Sequence, residues 1–267
     1  MLALVALTLL TWPRECARAA QTAPPSHAQL QLIAKPPSGE EKVLWVGVLF
    51  HLDPGWHIYW QNPGDSGTPP KIEWHLPAGY KAGPIQWPTP VRLGSGSVID
   101  YGYENQVLLM TAILRTAPAT SAGSSISADV KYVVCSEVCI PGKAHLSTSF
   151  GNTYSPAEAN QWRALFEKTR SQLPKAAPKS WQASAKQDKD SFRLTVRGAP
   201  EINGASFLPH DPDEIENSAG RVFVGGDDRF SLTLKKSSQL VKAISTLRGL
   251  IVLGPGRAYE IAAPVTQ

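Results

Sequence analysis

The sequence predicts an all-β protein built from two sandwich-like units. Short runs of alternating apolar and polar residues recur in both halves of the chain, and turn residues separate them. The 23 prolines and 21 glycines fit a fold with many turns. With 267 residues, 42% of them hydrophobic, the chain can form two ordinary domains, each with its own core.

In the first half, strands are predicted at residues 29–34, 42–52, 56–60, 71–76, 107–114, 126–134 and 144–150. Residues 84–90 contain too many prolines for a central strand. Residues 94–103 are predicted to form a loop or a short strand that ends in Asp-Tyr-Gly-Tyr. Residues 117–125 are small and form a linker between two strands.

Alternation assigns the faces of the strand at residues 56–60. Trp56, Ile58 and Trp60 share one face, which is predicted to be the core face. His57 and Tyr59 lie on the opposite face.

A helix is predicted between the two units. Ser155 is its N-cap, Pro156 opens the first turn and Glu158 completes a capping box. Apolar residues then recur at helical spacing, so the amphipathic helix covers residues 156–173 and ends before Pro174. A linker follows at 174–180.

The second unit is also predicted to be rich in β-strands. Its strands are expected at residues 181–187, 191–197, 204–208, 221–224, 229–234, 247–253 and 258–262. Short helices are expected near Ile215 or at 241–247.

Residues 1–20 have the features of a secretory signal peptide. Leu2 to Leu10 form an apolar region too short to span a bilayer, and Ala17 to Ala19 give a small-x-small cleavage site. Cleavage would remove Cys16 and leave a soluble, exported chain. Disulfides are stable in exported proteins.

Two cysteines then remain, Cys135 and Cys139, with Glu137 between them. Cys135 continues an alternating strand at 126–134 and is expected on its more polar face, shortly before a Pro-Gly turn at 141–142. A disulfide that closes so small a loop removes little entropy from the unfolded chain and therefore stabilises the fold only weakly. This favours an exchangeable disulfide.

Two alternatives stay open at this point. The pair could be a structural disulfide, or it could bind a metal together with His145 and one of His51, His57 or His75. The spacing does not match a zinc ribbon or a zinc finger.

Other functions find little support in the sequence. The net charge of +4 is small and dispersed, with no cluster of basic and aromatic residues that would indicate nucleic-acid binding. Phosphate-binding loops, dinucleotide fingerprints and nucleophile elbows are missing from the sequence, so no cofactor is expected.

Four segments carry a family resemblance, namely Gly55–Trp60, Asn62–Gly67, Tyr101–Glu104 and Tyr132–Gly142. Together they resemble the periplasmic N-terminal domain of the DsbD/ScsB thiol:disulfide interchange proteins over residues 28–150. The segments Phe207–Pro209, Ile215–Asn217 and Ala258–Ile261 are similar to the second periplasmic unit of the ScsB-like branch.

The resemblance implies two immunoglobulin-like β-sandwich units joined by the short amphipathic helix and linker. It also implies that Cys135 and Cys139 are the exchanging pair, with Tyr59, Asp100 and Tyr101 near the sulfurs. The DsbD branch has a wider cysteine spacing and an aromatic cap residue where this chain has Asp100.

The expected function is periplasmic thiol–disulfide exchange of the protein-disulfide reductase type. The implied partners are a thioredoxin-like electron donor, fed by a membrane electron-transfer protein, and exported thiol proteins of the disulfide-isomerase or cytochrome c maturation type. The expected domains are a signal peptide at 1–20, a redox sandwich at 28–150, a helix and linker at 151–180 and a second β-rich domain at 181–267. The alternative is a non-enzymatic β-sandwich binding module with a structural disulfide or a Cys/His metal site.

Overall fold

A computed structural model describes residues 26–35, 43–94, 96–116, 125–149 and 154–267. The predicted signal peptide, Cys16 and nearly all of the small-residue linker at 117–125 lie outside these ranges. The described residues form three β-sheets and one α-helix.

Ten strands are described in the first half. They are β1 (Ala28–Ala34), β2 (Val43–Leu52), β3 (His57–Gly64), β4 (Lys71–His75), β5 (Tyr80–Gln86), β6 (Val91–Leu93), β7 (Asp100–Glu104), β8 (Gln106–Arg115), β9 (Ser125–Cys135) and β10 (Cys139–Ser149). One sheet has the order β1-β2-β8-β5, and the other has the order β10-β9-β3-β7-β6, with β4 also paired to β9.

The two sheets pack face to face around one core. Alternating residues supply it, including Val46, Val48 and Phe50 from β2 and Ile58 and Trp60 from β3. The predicted faces of β3 are confirmed: Ile58 and Trp60 are core residues, and Trp56 packs against the core.

The strand β2 is apolar on both faces because both faces are covered. Its other face packs, together with β1 and β8, against the helix α1 (Pro156–Gln172) through Leu49, Leu108 and Phe166. The predicted capping box is present, because Ser155 Oγ accepts from the backbone N–H of Glu158 and the Glu158 carboxylate accepts from Ser155. The helix ends one residue before the predicted boundary.

Eight strands are described in the second half. They are β11 (Lys175–Ala176), β12 (Gln182–Gln187), β13 (Ser191–Arg197), β14 (Ser206–Pro209), β15 (Val222–Gly225), β16 (Arg229–Lys235), β17 (Thr246–Val252) and β18 (Ala258–Thr266). They form one continuous sheet with the order β14-β17-β18-β12-β13-β16-β15, in which β18 pairs in parallel with β11 and β12.

This sheet folds over its own core. Phe192 and Leu194 of β13 and Leu232 of β16 meet Ile251 of β17 and Ile261 of β18. The predicted all-β, immunoglobulin-like class is therefore confirmed.

Two details of the sequence prediction are wrong. Ile215 is not helical but forms a bridge with Lys236, because its side chain belongs to the sheet core. Residues 241–245 are irregular, with bends at 242 and 245 rather than a helix, and β17 begins directly after them.

The two halves share part of one core. Leu208 and Leu250 of the second half belong to the core of the first. Asn62 donates from Nδ2 to the carbonyls of Pro209 (2.8 Å) and Asp211 (3.2 Å). Within the described ranges, no helix combines the length and apolar character that crossing a membrane requires.

Candidate redox site

The two cysteines close a β-hairpin. Cys135 is the last residue of β9 and Cys139 the first of β10, and they are direct cross-strand partners joined by a disulfide. The turn is Ser136–Val138, closed by a hydrogen bond from Ser136 N to Val138 O (3.0 Å). The predicted turn at Pro141-Gly142 is therefore wrong: both residues lie within β10, an edge strand, where proline is tolerated.

The two cysteines differ sharply in exposure. Cys135 is 1% exposed, whereas Cys139 is exposed. Alternation correctly places Cys135 on the face of β9 turned away from the core. It is nevertheless buried, because β3 places His57 directly beside it. Cys139 lies on the edge strand, which has a neighbour on one side only. Its sulfur is thus the one that a second protein can reach.

Four residues form a row across the sheet: Cys139, Cys135, His57 and Glu104. Each is the direct cross-strand partner of the next, so all four side chains lie on the same face. The His57 side chain is 14% exposed, and its Nε2 lies 4.0 Å from Asp100 Oδ2 without a hydrogen-bond partner. Burial lowers the pKa of His57, while the charges of Asp100 and Glu104 act in the opposite direction.

Tyr59 reaches the disulfide from the same face of β3. Its hydroxyl lies 3.6 Å from Cys139 Sγ and 3.2 Å from Ser66 Oγ, and the residue is fully buried. Burial raises the pKa of Tyr59, and the negative charge of Asp100 raises it further. The hydrogen bond with Ser66 lowers the pKa but does not cancel the rise. The ring lies against Gly67, where an added Cβ would come within 2.1 Å of a ring carbon.

Asp100 supports this arrangement through Ser66. Its Oδ1 accepts from Ser66 N (2.9 Å), and its Oδ2 accepts from Ser66 Oγ (2.8 Å). Since the single hydroxyl proton of Ser66 is donated to Asp100, the Tyr59 hydroxyl is the donor to Ser66 Oγ. The Tyr59 oxygen therefore contacts Cys139 Sγ without donating a hydrogen bond to it.

One of the predicted neighbours of the sulfurs lies elsewhere. Tyr101 is on the core face of β7, because Asp100 and Gly102 occupy the sulfur face and successive side chains alternate. The Tyr101 hydroxyl donates to Asn217 Oδ1 (2.9 Å) in the second half of the chain. Glu137 is exposed in the turn between the cysteines.

The ligand set of the metal alternative is not assembled. His145 lies six residues after Cys139 on β10, about 20 Å along the strand. His145 and His75 instead contact the two carboxylate oxygens of Asp129, each at 2.7 Å. Among the described residues, no group of three or more His, Cys, Asp or Glu side chains is placed to hold a metal ion.

Sequence reasoning missed two residues of the site. Ser66 lies in the segment Asn62–Gly67 that carries the resemblance, but the sequence gives this serine no role of its own. His57 was considered only as a metal ligand. The alternation that puts His57 and Tyr59 on one face was a usable signal, since Tyr59 was already a candidate.

Comparison with known proteins agrees with this geometry. Residues 20–150 match the family described as the N-terminal domain of the thiol:disulfide interchange protein DsbD. The resemblance noted in the sequence is thereby confirmed. No curated protein matches the sequence significantly.

The fold as a whole has a counterpart among solved structures. The chain is similar to the N-terminal periplasmic domain of ScsB from Proteus mirabilis, with a TM-score of 0.68 and 18% sequence identity. The match covers 92% of this chain and 96% of that one. Both halves and the helix between them thus have the fold of that domain.

Proposed function

We propose that this protein is a thiol–disulfide exchange module that passes reducing equivalents through Cys135 and Cys139 to exported proteins. The observation that carries the proposal is the asymmetry of the disulfide. The Cys139 side is open at a sheet edge, while Cys135 is buried beside His57. Exchange needs an accessible sulfur and a thiolate leaving group, and this arrangement supplies both. The match of residues 20–150 to the DsbD N-terminal family supports the same reaction class.

Reduction begins on Cys139. A thiolate of the donor attacks Cys139 Sγ, the Cys135–Cys139 bond breaks, and Cys135 leaves as a thiolate that takes up a proton. The second thiolate of the donor then attacks the donor sulfur of the mixed disulfide and releases the Cys139 thiolate, which also takes up a proton. The donor is oxidised to a disulfide, and two electrons and two protons are transferred.

Delivery reverses these steps. The Cys139 thiolate attacks a substrate disulfide, one substrate sulfur leaves as a thiolate, and a mixed disulfide forms. The Cys135 thiolate then attacks Cys139 Sγ, releases the second substrate thiolate and restores the Cys135–Cys139 disulfide. Cys139 is therefore the exchanging residue and Cys135 the resolving one.

His57 is suited to move the proton at Cys135. Because burial lowers the pKa of His57, the ring is neutral at neutral pH and can accept a proton from the Cys135 thiol. Asp100 and Glu104 favour the protonated ring that results. Tyr59 covers the Cys139 side, and the Ser66–Asp100 pair holds its hydroxyl in place.

The proposal includes a location and partners. The family match supports a periplasmic location, with which the predicted signal peptide at 1–20 agrees. The electron donor would be a thioredoxin-like protein supplied by a membrane electron-transfer protein, and the reaction would be that of a protein-disulfide reductase. The proposed units are a redox sandwich at 28–150, a helix and linker at 151–180 and a second β-rich domain at 181–267.

Trapping tests the proposal. Reduced Cys135→Ala and Cys139→Ala are each mixed with a thioredoxin-like protein whose second active-site cysteine is replaced by alanine and whose remaining cysteine carries thionitrobenzoate as a leaving group, and adducts are identified on non-reducing gels and by peptide mass. Cys135→Ala is expected to accumulate a mixed disulfide through Cys139, because neither protein then keeps a second thiol that could resolve it. Cys139→Ala, with only the buried cysteine, is expected to yield little.

Two results together would contradict the redox function. Neither variant forms an adduct, and neither substitution changes the rate of thiol–disulfide exchange at any donor concentration. A purely structural disulfide predicts that outcome, with loss of stability as the only effect of either substitution.

A further inference from the structure

We infer that Asn217, in the second half of the chain, positions the redox site by holding the loop that fixes Tyr59 against Cys139. The inference rests on the proposed function and assigns a role to the second half within it. We call residues 62–67 the site loop. Asn217 contacts no sulfur, so it is a positioning residue.

Asn217 is buried, with 6% of its surface exposed, and its polar groups form hydrogen bonds with residues of the first half of the chain. Its Nδ2 donates to Asp65 Oδ1 (2.7 Å), and its Oδ1 accepts from the Tyr101 hydroxyl (2.9 Å). Its backbone carbonyl accepts from the Arg92 guanidinium (3.2 Å). The second half therefore contacts the site loop through a directed hydrogen bond.

Asp65 transmits this bond to the strand that carries Asp100. Its Oδ2 accepts from Ile99 N (2.7 Å), and its own N–H donates to Ile99 O (3.0 Å). The carboxylate thus joins Asn217 on one side to the start of β7 on the other. The next residue is Ser66, which binds Asp100 and Tyr59.

These contacts form a continuous path of Asn217, Asp65, Ser66, Tyr59 and Cys139. Residues 65–67 are bends outside the strand ladder, so a few individual hydrogen bonds rather than sheet pairing hold them. The residue before them, Gly64, has φ +92° and packs closely against β7: an added Cβ there would lie 2.4 Å from Ile99 O. Loss of one bond is therefore expected to move Ser66.

Movement of Ser66 removes the acceptor that fixes the Tyr59 hydroxyl. The Tyr59 hydroxyl is then free to leave Cys139 Sγ, and the exposed sulfur becomes easier to attack. The second half would in this way restrain the rate of exchange at a disulfide with which it has no direct contact.

A hydrogen-bond swap tests the inference. Asn217→Asp puts two carboxylates opposite each other but can still accept from Tyr101. Asp65→Asn, with its Oδ1 kept toward Ile99 N, puts two amide donors opposite each other. The double variant restores one bond with reversed polarity, from the Asn introduced at 65 to the Asp introduced at 217. The full chain is used, and the readout is the rate at which dithiothreitol reduces the disulfide, followed by thiol labelling.

Either single variant is expected to be reduced about fivefold faster than wild type, a typical size for coupling between sites. The double variant is expected to return close to the wild-type rate. Arg92→Ala is the matched control, because it removes another contact with Asn217 and leaves Asp65 untouched; it is expected to keep the wild-type rate. Thermal midpoints are recorded for all variants.

The inference is overturned if both single variants keep the wild-type rate, if Arg92→Ala accelerates reduction equally, or if the double variant remains fast. Asp65 is exposed, so Asp65→Asn gives a folded test even where Asn217→Asp does not fold. A failure of the proposed function would be seen in a different experiment, as the lack of a trapped adduct at Cys139. It would not change the rates at which dithiothreitol reduces these variants.

Discussion

The Tyr59 hydroxyl lies 3.6 Å from Cys139 Sγ, at the exposed end of a disulfide whose other end is buried. Tyr59 comes from the centre of the sheet and Cys139 from its edge. This pairing gives Tyr59 the position of a cover over the sulfur that a partner must attack. Asp100 supports this cover through its two hydrogen bonds with Ser66.

Tyr59→Phe is expected to speed reduction of the disulfide. The substitution keeps the ring and removes the hydroxyl that contacts Cys139 and Ser66. We expect dithiothreitol to reduce the variant about two- to tenfold faster, the equivalent of one neutral hydrogen bond. Tyr103→Phe is the matched control, because the Tyr103 hydroxyl is also buried but donates to Pro88 O (2.7 Å), away from the sulfurs. Equal rates in the two variants would refute the covering role.

His57→Gln is expected to slow the delivery of electrons from the reduced Cys135–Cys139 pair to a substrate disulfide. Glutamine keeps a polar side chain but cannot exchange a proton with Cys135. Because positioned acid–base groups contribute about 10²-fold or more, oxidation of the reduced pair by a substrate disulfide should slow by about that factor. The effect should be read from the dependence of the rate on pH, because the wild-type profile should contain a group that titrates below the ordinary histidine range. An unchanged profile would show that His57 has no part in the proton transfer.

Gly67→Ala is expected to destabilise the site through two separate effects, one on the backbone and one on the Tyr59 ring. Gly67 has φ +65°, a conformation that costs an alanine about 1–2 kcal/mol, and its added Cβ would also collide with the Tyr59 ring. Gly55→Ala isolates the first effect, because Gly55 has φ +79° and no atom lies within 4 Å of its added Cβ. In urea unfolding, Gly67→Ala should lose more free energy than Gly55→Ala.

The same pair of variants separates stability from redox behaviour. Only Gly67→Ala should change the rate of disulfide reduction, because only its Cβ displaces Tyr59. A Gly55→Ala variant that is reduced equally fast would contradict this link.

Much of the site follows from strand alternation. Alternation alone separates Trp56, Ile58 and Trp60 from His57 and Tyr59, and it places Cys135 on the same outer face. Applied to Asp100–Glu104, it would also have put Tyr101 in the core. The capping box of α1 was readable because all of its contacts lie within four residues.

Other features depend on contacts that the local sequence does not specify. The hairpin turn falls between the cysteines because β10 extends through Pro141 at a sheet edge. The burial of Cys135 depends on β3, which is about 78 residues away along the chain. The bond between Asn217 and Asp65 spans 152 residues, and nothing in either neighbourhood predicts it.

Glu214→Gln is expected to stabilise the protein at high pH. Burial raises the pKa of Glu214 to about 7; Asp211 adds to the rise, while His210 and Arg248 oppose it. The folded state therefore holds a proton that the unfolded state has lost, so stability falls as pH rises from about 4.5 to about 7. The variant removes this cost, which is at most about 3 kcal/mol.

The gain should be small near pH 4.5 and largest above pH 7. It can be measured by urea unfolding at pH 5 and pH 8, with Glu201→Gln as an exposed control. If Glu214→Gln raised the free energy of unfolding equally at both pH values, ionisation of the Glu214 carboxyl would not be the cause.

The reduction potential of the Cys135–Cys139 pair tests the redox function most directly. The oxidised protein is equilibrated with dithiothreitol or glutathione buffers of graded potential, and the reduced fraction is measured by alkylation and mass. A pair that exchanges electrons should have a midpoint between about −120 and −270 mV, the range of thiol–disulfide exchange proteins. A midpoint well below about −300 mV, as in structural disulfides, would contradict the proposed function.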